Sequence, residues 1–261
     1  YAAHGYTPVR QQLGNLRFRD RYGMPFAGTI KPGLSASSRA CRAVVAARRE
    51  WPGSEWRVFR ALQLANFTGG LLFDDDEQLH AVLETVPGVD ADLILSLIDD
   101  DGVRAEYEAD KALTRTAEGS ATHLQGKAGN SDGTVRYTAP SVVFETAGGR
   151  RLEAGGFQPV EAYDVLIANL DPTLTRHAPP EDPAELLDYF PLGLTTQEVA
   201  ALMTHGNDAS DRVGAESALL ALAGEGRAIR QPLGDDALWF SASAAEGAHA
   251  GVSLSGSVSS P

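Results

Sequence analysis

One cysteine, Cys41, stands in 261 residues, and that scarcity removes whole classes of chemistry. These residues alone hold no intramolecular disulfide, no dithiol redox motif and no zinc site built on several thiolates. Long apolar runs are missing as well. Stretches such as Leu93 to Ile98 are broken at once by Asp99 to Asp101, far short of the ~20 residues a membrane helix needs. The six histidines (His4, His80, His123, His177, His205, His249) are scattered, with no i, i+4 pair and no cysteine beside them, so no metal is expected. There is no Gly-rich phosphate loop, no Gly-x-Ser-x-Gly and no His-Asp-Ser order. The acidic triplets Asp74 to Asp76 and Asp99 to Asp101 sit at helix starts or junctions, where carboxylates favour the dipole, and lack the spacing of a calcium loop. No cofactor is expected.

What remains is an ordinary globular composition, 43% hydrophobic and 22% charged, long enough for one large domain and one small one. The net charge of −13 is unevenly spread: residues 1 to 60 carry eleven Arg/Lys against three Asp/Glu, residues 61 to 180 eight against twenty, and residues 181 to 261 three against twelve. The arginines of the basic segment recur at helical spacing (Arg17, Arg21; Arg39, Arg42), which predicts solvated faces paired with the acidic middle rather than a surface for an anionic partner. The first residue is Tyr1, with no charged-then-apolar leader, so a fragment or a processed product is expected.

Helical periodicity dominates the first half. Thr7-Pro8 opens a helix stopped by Gly23 and Pro25. A second spans Ser37 to Glu50 with Ala40, Cys41, Val44, Val45 and Arg48 on its inward stripe. A third, from Ser54, sets Trp56, Phe59, Leu62 and Ala65 on one face. Asp74-x-x-Glu77 starts a fourth with Leu79, Val82, Leu83 and Val86 inward, Asp90 caps a fifth, and a sixth runs from about Gly102 to Glu118 with Val103, Tyr107 and Leu113 apolar. Gly119 to Asp132 reads as a loop. The period then changes: Pro140 to Phe144 and Arg151 to Ala154, separated by Gly148-Gly149, read as a β-hairpin. Pro159 opens a helix with Val160, Tyr163, Leu166, Ile167 and Leu170 on an apolar face.

Four prolines in residues 171 to 183 suggest a semi-rigid linker. Beyond it, Thr195-x-x-Glu198 is a capping box, a second helix spans Ser210 to Ala223, and Ala228 to Gln231 with Ala237 to Phe240 forms a hairpin. That is the order of a winged helix, with Leu187, Leu194, Val199, Leu202, Leu219, Leu222, Ile229, Leu238 and Trp239 as its core. Residues 184 to 240 are expected to fold as their own small unit, their acidic surface docking on residues 1 to 60. Residues 241 to 261, rich in Ser, Ala and Gly, are expected to be a disordered tail.

Gly23-Met24-Pro25, Ser37 to Val44, Ala139 to Phe144 and Gly156-Phe157, in this order and separated by a multi-helix insert, resemble the DsbA-like, FrnE-type thioredoxin-fold oxidoreductases over residues 8 to 170. The resemblance implies a thioredoxin-like core incomplete at its N-terminus, with a helical insertion domain; together with the C-terminal winged-helix-like module read from its element order, the expected fold is α/β and mostly helical. Its divisions are a helical domain (1–128), the C-terminal half of the core (129–170), the linker (171–183), the winged-helix-like module (184–240) and the tail (241–261). The resemblance further implies a cis Pro140, the alternative being a trans proline opening an edge strand. Ala139 would offer its backbone to an extended substrate.

The family's Cys-x-x-Cys or Cys-x-x-Ser motif lies upstream of everything present, and Cys41 does not match it. Cys41 is expected to be a buried small hydrophobe, with Arg39 and Arg42 able to activate it as a thiol if it were exposed. No catalytic residue is assigned within the chain. Three readings follow. The first is a thiol-disulfide oxidoreductase or isomerase, cytoplasmic, whose partner is a protein or small-molecule thiol or disulfide and which could form a homodimer. The second is a redox-inactive binding or adaptor protein on the same scaffold. The third is a winged-helix DNA-binding regulator, which the acidic C-terminal charge disfavours. No membrane association is expected.

Overall fold

The computed structural model describes residues 5–129 and 133–243; the expected tail lies outside the described residues from residue 244 onward. The chain is an α/β protein in which helix predominates and the strands form small antiparallel sheets. No described helix is long and apolar enough to cross a membrane. The chain divides into two compact units, the first built from residues up to Val103, from Pro179 to Thr204 and from Ser210 onward, the second from Arg104 to Ala178 with His205 to Ala209.

The first unit opens with α1 (Pro8–Tyr22), whose N-cap Thr7 accepts the Arg10 N–H, with proline in the first turn and Gly23 closing the helix at φ +70°. In α2 (Ser38–Glu50) the buried residues are Ala40, Ala43, Val45, Ala46 and Ala47. Small side chains let a neighbouring helix approach closely, so the inward face lies to one side of the expected stripe. Cys41 is exposed. Arg39 turns outward to Asp76 and Asp99. In α3 (Glu55–Thr68) the buried pair is Val58 and Leu62, at i, i+4, whereas Trp56 and Phe59 stand on the exposed side with ring centroids 5.8 Å apart. The two aromatics share a face as expected, but it is not the core face.

α4 (Asp76–Leu83) is capped one residue later than its motif suggested, Asp75 accepting the N–H groups of Glu77 and Gln78. Asp90 caps α5 (Ala91–Leu97) through the Leu93 N–H. Leu79, Leu83, Ile94 and Ile98 are fully buried and form the apolar centre of this part. α6 (Asp101–Thr114) buries Val103 and leaves Leu113 exposed. Its charged second half offers no stripe to pack.

The stretch expected as loop contains α7 (Ala121–Leu124), capped by Ser120, and β1 (Ala128–Gly129), which pairs with β2 (Arg136–Tyr137). β3 (Ser141–Glu145) and β4 (Arg151–Gly155) form the expected hairpin, Val143 opposite Glu153. α8 (Val160–Leu170) follows and touches that hairpin through Tyr163, whose ring meets Phe144 edge-on at 6.4 Å. No residue of α8 is buried. The residues expected as an extended linker are anchored instead: Arg176 pairs with Asp164 on α8, and Asp182 caps α9 (Pro183–Tyr189) with Pro183 at the helix start. A proline at N1 begins a helix as readily as it extends a linker.

β5 (Leu194–Thr195), α10 (Thr196–Leu202), α11 (Arg212–Gly224), β6 (Ala228–Leu233) and β7 (Asp236–Ser241) complete the chain, the sheet running β5-β7-β6. Thr195 and Glu198 form the full capping box. The core here is Leu187, Leu194, Val199, Leu219, Leu222 and Trp239, with Ala200, Ala215 and Ala237 filling between them. Leu202 and Ile229, expected inside, are exposed. Residues 184 to 240 are not separate. Arg60 Nη1 donates to Glu198 Oε1 at 2.7 Å, while its Nη2 donates to Glu198 Oε2 and to the Gly193 carbonyl, both at 2.8 Å. The Phe26 N–H donates to Asp235 Oδ1 at 2.9 Å, and the Asp235 N–H returns to the Phe26 carbonyl at 3.1 Å. These contacts join acidic and basic segments within one compact unit.

Candidate functional site

In the second unit, the turn between β2 and β3 is built by side chains that replace missing ladder bonds. Thr138 Oγ1 donates to the Lys127 carbonyl at 2.6 Å, and Ser141 Oγ donates to the Thr138 carbonyl. Between them the Ala139–Pro140 peptide bond is cis. Ala139 is exposed and Pro140 half-buried, and among the described residues neither the N–H nor the C=O of Ala139 finds a partner. β3 has β4 on one side and no strand on the other among the described residues. Alternate backbone groups of β3 therefore face outward, as on any edge strand.

Behind this edge lies a polar cluster that sequence reading missed. Glu153, in the middle of β4, accepts the Thr122 N–H at 2.6 Å and the Tyr137 hydroxyl at 2.7 Å. Burial pushes its carboxyl up, but these hydrogen bonds outweigh burial and hold it below the usual glutamate value. Tyr137 is shifted the other way, first by burial and then by donating to Glu153, so it remains a protonated donor. Gly155 packs directly against Thr122; a Cβ there would lie 2.2 Å from Thr122 Cγ2. The cluster fixes α7 to β4 and so sets the position of the β3 edge. The available signal was a lone carboxylate between Leu152 and Ala154 in a strand.

The remaining sequence candidate, Cys41, lies on α2 in the first unit, not the unit that holds Ala139 and Pro140. It is exposed. The surrounding protein raises its thiol pKa, opposed by a hydrogen bond from Ser37; neither arginine acts as its activator, since Arg39 and Arg42 are directed to Asp99. No group of His, Cys, Asp or Glu among the described residues could hold a metal ion. Ala139 and the outer side of β3 thus present backbone donors and acceptors that no strand pairs among the described residues. Compared with known proteins, the chain matches no family model and no curated protein.

Proposed function

We propose that these residues form the substrate-holding part of a DsbA-like thiol-disulfide oxidoreductase, in which the strand edge beginning at Ala139 and Pro140 receives an extended, cysteine-bearing segment of a protein or small-molecule substrate. The observation that carries the reading is the order and pairing of elements: a multi-helix segment, then Ala139-Pro140, the β3–β4 hairpin and α8 packed on it, with one edge of β3 unpaired among the described residues. An extended chain adding there gains main-chain hydrogen bonds, and side chains alternate between the two faces. Exchange itself proceeds by attack of a thiolate on a disulfide sulfur. In this reading the attacking dithiol is supplied from outside these residues, which hold one cysteine.

Residues 184 to 240 serve as a winged-helix-like packing module in the same reading. Their basic residues are already engaged: Arg212 with Asp236, Arg227 with Asp182 and Glu225, and Arg230 over the Trp239 ring. This favours intramolecular packing over a DNA-binding role.

The test has two parts. The chain alone should not reduce insulin disulfides. On addition of a reduced, unfolded cysteine-containing peptide, amide exchange should slow at Ala139 and along Ser141 to Glu145. Insulin reduction by the chain alone, or protection confined to other elements, would overturn the proposal.

A further inference from the structure

Lys31 lies in the loop between α1 and α2 and is only 8% exposed. Its Nζ donates to Asn66 Oδ1 at 2.6 Å and to the Leu71 carbonyl at 3.0 Å. An ammonium has three donors, and among the described residues no third acceptor and no carboxylate meets this one. Burying a cation without a counter-charge is costly, and buried charges are ordinarily paired. The same loop lines a half-open cavity of about 240 Å³ together with Asn66 and Phe73, with Leu34 and Tyr6 adding apolar surface. The ammonium stands 6.0 Å from the Phe73 ring centroid, on the cavity wall. Ser35 also lines it. Its Oγ accepts the Phe73 N–H at 3.1 Å, leaving its own hydrogen for a ligand.

From this geometry we infer a binding site for a small organic monocarboxylate, its carboxylate on Lys31 Nζ and the Ser35 hydroxyl, its apolar body against Phe73, Leu34 and Tyr6. The cavity is smaller than the ~300–1,000 Å³ of pockets for drug-sized ligands, which selects a compact metabolite. Among the described residues Lys31 is the lining's lone Lys or Arg, and no Asp or Glu lines the cavity; a single cation balances one negative charge, so a phosphate dianion would remain undercompensated. Burial alone holds Lys31 below the usual lysine value, and a bound carboxylate would relieve that penalty. The inference does not depend on thiol-disulfide chemistry, since every residue it uses lies in the first unit.

Benzoate is the probe, benzamide its neutral isostere and inorganic phosphate the dianion. Titrations on the whole chain, followed by amide chemical shifts, should place benzoate at Lys31, Ser35, Asn66 and Phe73. Binding should be at least about tenfold tighter than for benzamide, the scale of a charge-assisted hydrogen bond. Lys31→Met, checked for folding by circular dichroism, should erase that difference. Where the variant does not fold, the contrast between benzoate and benzamide on the unaltered chain carries the test. Equal affinity for the two, shifts located elsewhere, or a folded K31M that keeps the preference would overturn the site. Phosphate competing as strongly as benzoate would overturn the carboxylate assignment.

Discussion

Glu198 ties three levels of structure together with one carboxylate. It closes the capping box by accepting the Thr195 N–H at 2.8 Å, and it takes both hydrogen bonds of the Arg60 fork. Burial raises its pKa, while Arg60 and the Thr195 N–H lower it more, leaving the carboxyl below its ordinary value of 4.5. A depressed folded-state pKa means stability that is present above the unfolded value and lost as pH falls through the folded one. Glu198→Gln should therefore cost about 2 kcal/mol at neutral pH, the range of hydrogen bonds to charged groups. The cost should shrink in the acid range below the unfolded value. Urea unfolding of both proteins at neutral and acid pH measures it; a cost independent of pH would show that the Arg60 pair contributes through shape alone. The capping box was legible from Thr195-x-x-Glu198, but the arginine that reaches it was not. Its partner is 138 positions away, and sequence spacing carries no information at that range.

The elements themselves were legible where start and stop residues bracket them. α1, with Thr7, Pro8 and Gly23, and the β3–β4 hairpin about Gly148-Gly149 are of this kind. Faces were less legible than boundaries, because alanine-rich α2 has no strongly apolar stripe, and in α3 the large aromatics lie outside while Val58 and Leu62 lie inside. Cys41 was misplaced for the same reason. The docking of the β6–β7 hairpin depends on one turn residue. Gly234 has φ +58°, and a Cβ there would sit 2.7 Å from the Phe26 carbonyl oxygen, beside the paired hydrogen bonds between Phe26 and Asp235. Backbone cannot move aside as a flexible side chain can. Gly234→Ala should therefore destabilise the chain by about 2 kcal/mol, combining the left-handed conformation with the steric contact. Exchange at the Phe26 and Asp235 amides should accelerate more than at Leu79. Uniform acceleration would mean that the hairpin does not open as a local unit.

At the scale of the whole molecule, the two compact units differ in how much apolar surface they hide. The first buries Leu79, Leu83, Ile94, Ile98, Val58, Leu187, Leu219 and Trp239 almost completely. In the described part of the second, the buried apolar residues are Ala117 and Ala154, while Val143, Phe157, Val160 and Val165 remain exposed. Full burial of a large aliphatic or aromatic side chain stabilises by ~1.5–3 kcal/mol, so this contrast is large on the scale of a domain's total stability. The composition gave no warning of it, because α8 reads as an apolar face whether or not a layer covers that face. Amides of β3, β4 and α8 should accordingly exchange at least about a hundredfold faster than those of α4 and α5, as expected for a low-stability cooperative region. Repeating the exchange at two protein concentrations separates intrinsic stability from self-association through the open β3 edge and exposed α8 face. Protection of β3 and α8 that rises with concentration would identify a second copy as the cover. Equal, concentration-independent protection in both units would show that the Glu153, Tyr137 and Thr122 cluster holds the second unit together without a large apolar core.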